Sequence, residues 1–221
     1  MTPSGWVLLA IAAVAAAVDW WAVWAETPRA RLAERVAKPT ALLALIGVAV
    51  VARLATPSVE PWLLLALLGS LAGDVLLLPP GRLVPGLVAF LLAHGAYIAA
   101  LSQLPSSPAG LALGVVVGLV VVASVGRRLV RAASRQGMGV PVAAYLGVIS
   151  LMAVAATGTL LPTAALGAWL FVGSDSMLGW GEFVVAGGPD GRSRGGQRLR
   201  LAVIATYHLA QALLVVTLVT A

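Results

Sequence analysis

Two aspartates stand inside long apolar runs, Asp74 in Gly73-Asp74-Val75-Leu76-Leu77 and Asp175 in Ser174-Asp175-Ser176-Met177-Leu178. An ionisable group inside a bilayer costs about 2.5–3.5 kcal/mol on insertion scales and, where it is kept, faces an interior. Two carboxyl groups in a low-dielectric cavity repel, so one holds a proton while the other is ionised, which suits general acid–base work or a proton relay. A short set of other polar side chains shares this apolar context: Asp19, Lys38, His94 with Tyr97, Tyr145, Ser174, and Tyr207 with His208 and Gln211. Spacing of i, i+3 on a helix places His94 and Tyr97 on one face, and likewise His208 and Gln211. The same residues exclude other chemistries. With no Cys and two His, neither a thiolate site nor a three-His zinc site can be built, and no metal or cofactor is expected. Leu71 stands where an intramembrane aspartyl protease would need Gly.

The elements that carry these residues follow from composition. Of 221 residues, 61% are hydrophobic and 10% charged, too little charge to cover a soluble domain of this length. Apolar runs long enough to cross a bilayer occur at roughly 5–25, 36–55, 61–79, 83–103, 108–126, 140–160, 162–184 and 200–220. The expectation is an all-α, polytopic membrane bundle of eight transmembrane helices forming a single domain over 1–221. The first run lacks a basic leader and carries Asp19 followed by Trp20, Trp21 and Trp24, which reads as a retained helix with an interfacial aromatic belt.

The basic residues orient the bundle. Arg29, Arg31, Arg35 and Lys38 follow the first span, Arg82 the third, Arg127, Arg128, Arg131 and Arg135 the fifth, and Arg192, Arg194, Arg198 and Arg200 the seventh, leaving only Arg53 for the opposite face. Basic residues accumulate in cytoplasmic connections. Both termini are therefore expected outside the cytoplasm, in what reads as a bacterial inner membrane. The arginines read as topology determinants and contacts for anionic lipids, not as a nucleic-acid surface, because they lie in short connections rather than a basic domain. Gly187-Gly188-Pro189-Asp190-Gly191 reads as a linker with no phosphate-cradling motif. In this orientation Asp74 and Asp175 lie at similar depth, each about two-thirds of the way along an inward-running span at 1.5 Å per residue. Lys38, Tyr145 and Tyr207 come early in outward-running spans, with His94, Tyr97, His208 and Gln211 a turn or two deeper.

A weak internal echo links the halves. The Asp74 segment of span 3 resembles the Asp175 segment of span 7, and His94-x-x-Tyr97 in span 4 resembles His208-x-x-Gln211 in span 8. Four spans separate each pair, which implies two parallel four-helix halves and a cavity lined by one Asp from each.

On these residues the chain resembles the lysoplasmalogenase family, the YhhN-like group of membrane proteins. The resemblance runs through Lys38-Pro39, Gly73-Asp74-x-x-Leu77, Gly86-x-x-x-Phe90-x-x-x-His94-x-x-Tyr97, Gly167-Ala168-x-x-Phe171-x-x-Ser174-Asp175-x-x-Leu178 and Tyr207-x-x-x-Gln211. Asp19, Glu182 and His208 are not carried over from the family pattern. The resemblance implies an intramembrane hydrolase that opens the vinyl ether bond of a lysophospholipid substrate, giving a fatty aldehyde and a glycerophospho-alcohol.

The residues suit that reaction. Protonation of the terminal vinyl carbon gives an oxocarbenium-like cation, water adds, and the hemiacetal collapses. One Asp would be the acid and the other would face the cation and orient water, as paired carboxylates do in glycosidases; which is which stays open. Lys38, His94, Tyr97, Ser174, Tyr207 and Gln211 are the expected substrate-binding residues. Lys38 would meet the headgroup phosphate or hold one Asp ionised, and the His, Tyr and Gln side chains would hold water or glycerol oxygens. The competing readings are a proton-coupled small-molecule or lipid transporter, with the carboxylates as relay, and a lipid-binding membrane protein.

Overall fold

The computed structural model of the chain describes residues 1–56, 61–79, 81–185 and 194–221, with the side chains of 194 and 195 left aside; the Gly187–Gly191 stretch and Arg192 lie outside the described residues. Among the described residues the secondary structure is helical throughout: α1 (Pro3–Ala25), α2 (Pro28–Ala55), α3 (Pro61–Leu77), α4 (Leu83–Leu101), α5 (Pro108–Val121), α6 (Arg127–Ser134), α7 (Gly139–Gly158), α8 (Pro162–Trp180) and α9 (Arg194–Thr220). A π-helical turn, Val122–Gly126, joins α5 to α6 in one rod, and a second, Gly181–Val185, continues α8. The helices thus make eight rods, in register with the eight apolar runs.

Local sequence sets where rods begin. Thr2-Pro3 and Thr27-Pro28 each place a hydroxyl cap before a proline. The Thr2 hydroxyl accepts from Gly5 N at 3.2 Å, and that of Thr27 from Ala30 N at 3.1 Å. Proline at the first helical position lacks only an N–H that would have had no intrahelical acceptor. Glu26, left-handed at φ 50°, ends α1 and turns the chain straight into Thr27.

The rods outrun the apolar segments at three places. The second rod starts at Pro28 rather than 36, the fifth runs on to Ser134 rather than 126, and the last starts at Arg194 rather than 200. Arginine is a good helix former, and its long side chain lets a helix continue past the apolar slab. In α6, Arg127, Arg128 and Arg131 are exposed while Leu129 and Ala133 are buried, so the extension is amphipathic.

Among the described residues, six helical rods are long and apolar enough to cross a membrane: Pro3–Ala25, Pro28–Ala55, Leu83–Leu101, Pro108–Ser134, Gly139–Gly158 and Gly196–Thr220. The chain is an integral membrane protein. Of the other two rods, α3 is apolar but has 17 residues, the low end of a spanning length. In α8 the run Ser174-Asp175-Ser176 dilutes the apolar stretch.

The chain divides into two compact units, Met1–Pro105 with Gln211–Ala221, and Ser106–Ala210. In the first, α1 packs on α2, α2 on α3 and α3 on α4. Small residues set the closest approach: a Cβ on Gly69 would lie 3.2 Å from Ala93 Cα, and one on Gly86 would lie 2.5 Å from Leu77 Cδ2. In the second, α7 packs against α5, α6 and α8. Gly110, Gly114 and Gly118 form the buried stripe of α5, and a Cβ on Gly114 would meet Val154 Cα at 2.9 Å. Without a hydrophobic driving force between helices in lipid, such small-residue seams supply the van der Waals contact that holds them.

Candidate active site

In the first unit the ionic centre is Lys38 Nζ to Asp74 Oδ1 at 2.9 Å. Asp74 is buried, and the Lys38 side chain is 17% exposed. Lys38 precedes Pro39, which has no N–H to give to the carbonyl one turn earlier, while Thr40 Oγ1 donates to Val36 O at 2.7 Å. The proline therefore loosens the α2 ladder beside the lysine. Asp74 comes from the last turn of the apolar helix α3, behind Gly73, whose missing side chain leaves room for the Phe90 ring of α4.

One turn after Phe90, His94 is buried, and its Nδ1 is hydrogen-bonded to the Phe90 carbonyl. A carbonyl only accepts, so Nδ1 carries the proton and Nε2 is the lone-pair nitrogen. Tyr97, fully buried, donates its hydroxyl to Gln211 Oε1, about two-thirds of the way along α9. The Gln211 amide nitrogen is also buried and has no hydrogen-bond partner among the described residues. Two N–H donors thus remain for a ligand or water.

Asp19 is the residue that the sequence reading undervalues here. It is 0% exposed on α1 and lies within Coulombic reach of Lys38, Glu34 and Asp74.

In the second unit the half-buried Asp175 accepts on Oδ2 from the hydroxyl of Tyr145 on α7. Ser174 spends its hydroxyl on the Val203 carbonyl of α9 at 2.9 Å. Tyr207 is buried with its ring edge-on to Phe171 at 5.4 Å, and beside His208 at 5.5 Å. Ser174 and Tyr207 thus both take part in the α8–α9 seam. Tyr145 had stood among the residues at the right depth, but no motif singled it out. Its signal is topological: it lies on the second rod of its unit and reaches the Asp of the third, as Lys38 does for Asp74.

Of the expected site residues, then, the structure brings Lys38 to Asp74 and Tyr97 to Gln211, and it buries His94 on the same helix as Tyr97. Asp74 belongs to the first unit and Asp175 to the second, each with its own partners.

A sequence profile described as the YhhN family matches residues 33–218. The chain belongs to the YhhN family. Every expected site residue, from Lys38 to Gln211, lies inside the YhhN match, whereas Asp19 lies outside it. Two YhhN-like relatives are proteins named lysoplasmalogenase, from Mycobacterium bovis and Mycobacterium tuberculosis. Each is 38% identical over 132 residues, which is 56% of this chain and 51% of the relative. The match therefore spans about half the length of these curated relatives. No solved structure matches the chain.

Proposed function

We propose that this YhhN-family protein is an intramembrane hydrolase that cleaves the vinyl ether bond of lysoplasmalogen-like lysophospholipids, with Asp74 and Asp175 as its acid–base pair. The observation that carries the reading is the 38% identity to proteins named lysoplasmalogenase, joined to two helix-borne carboxyl groups that are each held by a polar partner from a neighbouring helix. Intramembrane acids are too costly to persist as bystanders.

The chemistry is written over these groups. One aspartic acid gives its proton to the vinyl carbon β to the ether oxygen. The C=C electron pair forms the new C–H bond and leaves an oxocarbenium ion. The other aspartate faces that cation and takes a proton from the attacking water. The hemiacetal then breaks its C–O bond to the glycerol, whose oxygen takes the proton back from the second aspartic acid while the hemiacetal hydroxyl gives its proton to the first aspartate, and the aldehyde departs with both groups restored. General acid–base help of this kind contributes about 10²–10⁴-fold. His94 Nε2 and the Gln211 amide supply an acceptor and donors for water or glycerol oxygens. Tyr97 and Tyr207 would each offer a hydroxyl to the substrate from their own unit, Ser174 orients the helix beside Asp175, and Lys38 lies where a headgroup phosphate would compete with Asp74.

The setting is the inner membrane, with both termini outside the cytoplasm and the arginine-bearing helix ends against anionic headgroups. Detergent-purified protein given alkenyl, alkyl and acyl lysophospholipids should release fatty aldehyde from the alkenyl lipid alone, read by mass spectrometry. Asp74→Asn and Asp175→Asn should each abolish release. Full turnover in either variant removes the two-acid mechanism. Absence of any aldehyde from wild-type protein, with gradient-driven uptake in vesicles, would identify a transporter instead.

A further inference from the structure

A buried carboxylate locked to a largely covered ammonium is a poor participant in proton transfer. Protonating Asp74 would strand the charge of Lys38, and removing one partner from a buried ion pair is strongly unfavourable. The structure contains a way round this. On α1 the buried stripe is Ala12, Ala15, Ala16, Asp19, Ala22 and Val23, an i, i+3, i+4 pattern of small residues interrupted by one acid. Trp21 and Trp24 are exposed and point elsewhere on the helix, as 100° per residue requires. The stripe faces α2, with which α1 forms an antiparallel hairpin through the Glu26-Thr27 turn.

Register locates the acid. A Cβ on Gly47 would lie 3.2 Å from Leu8 Cδ1, so residues 8 and 47 are level. Eleven residues toward the turn along both helices, Asp19 is level with residue 36, between Glu34 and Lys38. Coulombic attraction between Asp19 and Lys38 agrees with that placement.

We infer that Asp19 is a positioning residue for Asp74: it shares the Lys38 ammonium, so that Asp74 can take up or give a proton while Lys38 stays neutralised. The charged and titratable groups around it are Glu34 and Lys38 on α2 and Asp74 on α3, with His94 and Tyr97 on α4 behind α3. Glu34 lies one turn before Lys38 but is half-exposed, so its charge is largely answered by solvent. The inference rests on the hydrolase reading for its catalytic part, and its thermodynamic part stands without it.

Full-length protein in detergent tests both. If the two acids share one ammonium, Asp19→Asn and Asp74→Asn should each lower the melting temperature modestly. The double variant should fall by more than the two single falls combined, and Lys38→Met should recover much of that loss. Melting-temperature losses that simply add would overturn the inference, whether or not the protein hydrolyses anything. In turnover of lysoplasmenyl lipid, Asp19→Asn should lower kcat by about tenfold or more with KM little changed. Asp19→Glu should restore most of it. A folded Asp19→Asn protein with unaltered kcat would reduce Asp19 to a packing role and sink the proposal. Wild-type protein inactive on every lipid would instead remove the hydrolase reading and leave the shared ammonium to the melting data.

Discussion

The ring of Phe90 occupies the space that a side chain on Gly73 would need: a Cβ there would lie 2.5 Å from both Phe90 Cδ2 and Cε2. The same Phe90 presents its carbonyl to His94 Nδ1. One aromatic residue therefore seals the helix that carries Asp74 and fixes the tautomer of the histidine. Gly73→Ala should push the ring aside, costing about 1–3 kcal/mol as overpacking does, and should depress activity through both neighbours. Phe90→Leu in the Gly73→Ala background should recover stability in a detergent melting assay. If Gly73→Ala is silent in both melting and turnover, the motif glycine has some other purpose.

Tyr145 holds Asp175 through a single hydroxyl. Tyr145→Phe deletes that oxygen and little else. Hydrogen bonds to charged groups contribute about 1.5–3 kcal/mol, so turnover of a lysoplasmenyl lipid should drop by about 10- to 100-fold while the protein remains folded. Wild-type rates in a purified Tyr145→Phe enzyme would show that Asp175 needs no such anchor.

The Tyr97–Gln211 pair makes a different kind of demand, since both side chains are fully buried. Tyr97→Phe leaves the glutamine oxygen without its donor, and stranding a buried polar group costs about 1–3 kcal/mol. Replacing both together, as Tyr97→Phe with Gln211→Leu, should be milder than the first change alone, because no polar atom is then left over. Thermal unfolding of the three variants measures this. A double variant worse than Tyr97→Phe by the full effect of Gln211→Leu would mean that the two act independently.

The rods were legible because apolar runs of spanning length, punctuated by Thr-Pro and similar starts, have no other stable outcome in lipid. Their ends were not. Apolarity stops where the hydrocarbon stops, whereas helix propensity carries Arg29, Arg31, Arg127 and Arg131 onward into the same rods. Among the site residues, Asp74 and its lysine could be anticipated because both are expensive in an apolar run, and the structure pairs them. Tyr145 is legible by depth but not as a site residue, because a tyrosine in a membrane helix is cheap and common, and only the partner across the helix gives it meaning. Asp19 stands outside the family pattern, beside the aromatic belt of Trp20, Trp21 and Trp24. The alanine stripe on which it sits, one residue in three or four from Ala12 onward, already pointed it inward.

Orientation is the remaining claim that sequence carries by itself, and the absence of cysteine makes it easy to probe, since any introduced thiol is unique. Ser4 is exposed near the start of α1, and Arg128 is exposed on α6. The asymmetry of basic residues puts the first outside the cytoplasm and the second within it. Ser4→Cys should therefore react with a membrane-impermeant maleimide added to intact spheroplasts, and Arg128→Cys only after the membrane is opened. Because five crossings separate the two positions, an extra or missing span between them would place both on one side. The reverse pattern would invert the bundle and move the Lys38–Asp74 centre toward the outer leaflet, along with the lipid pool from which its substrate is drawn.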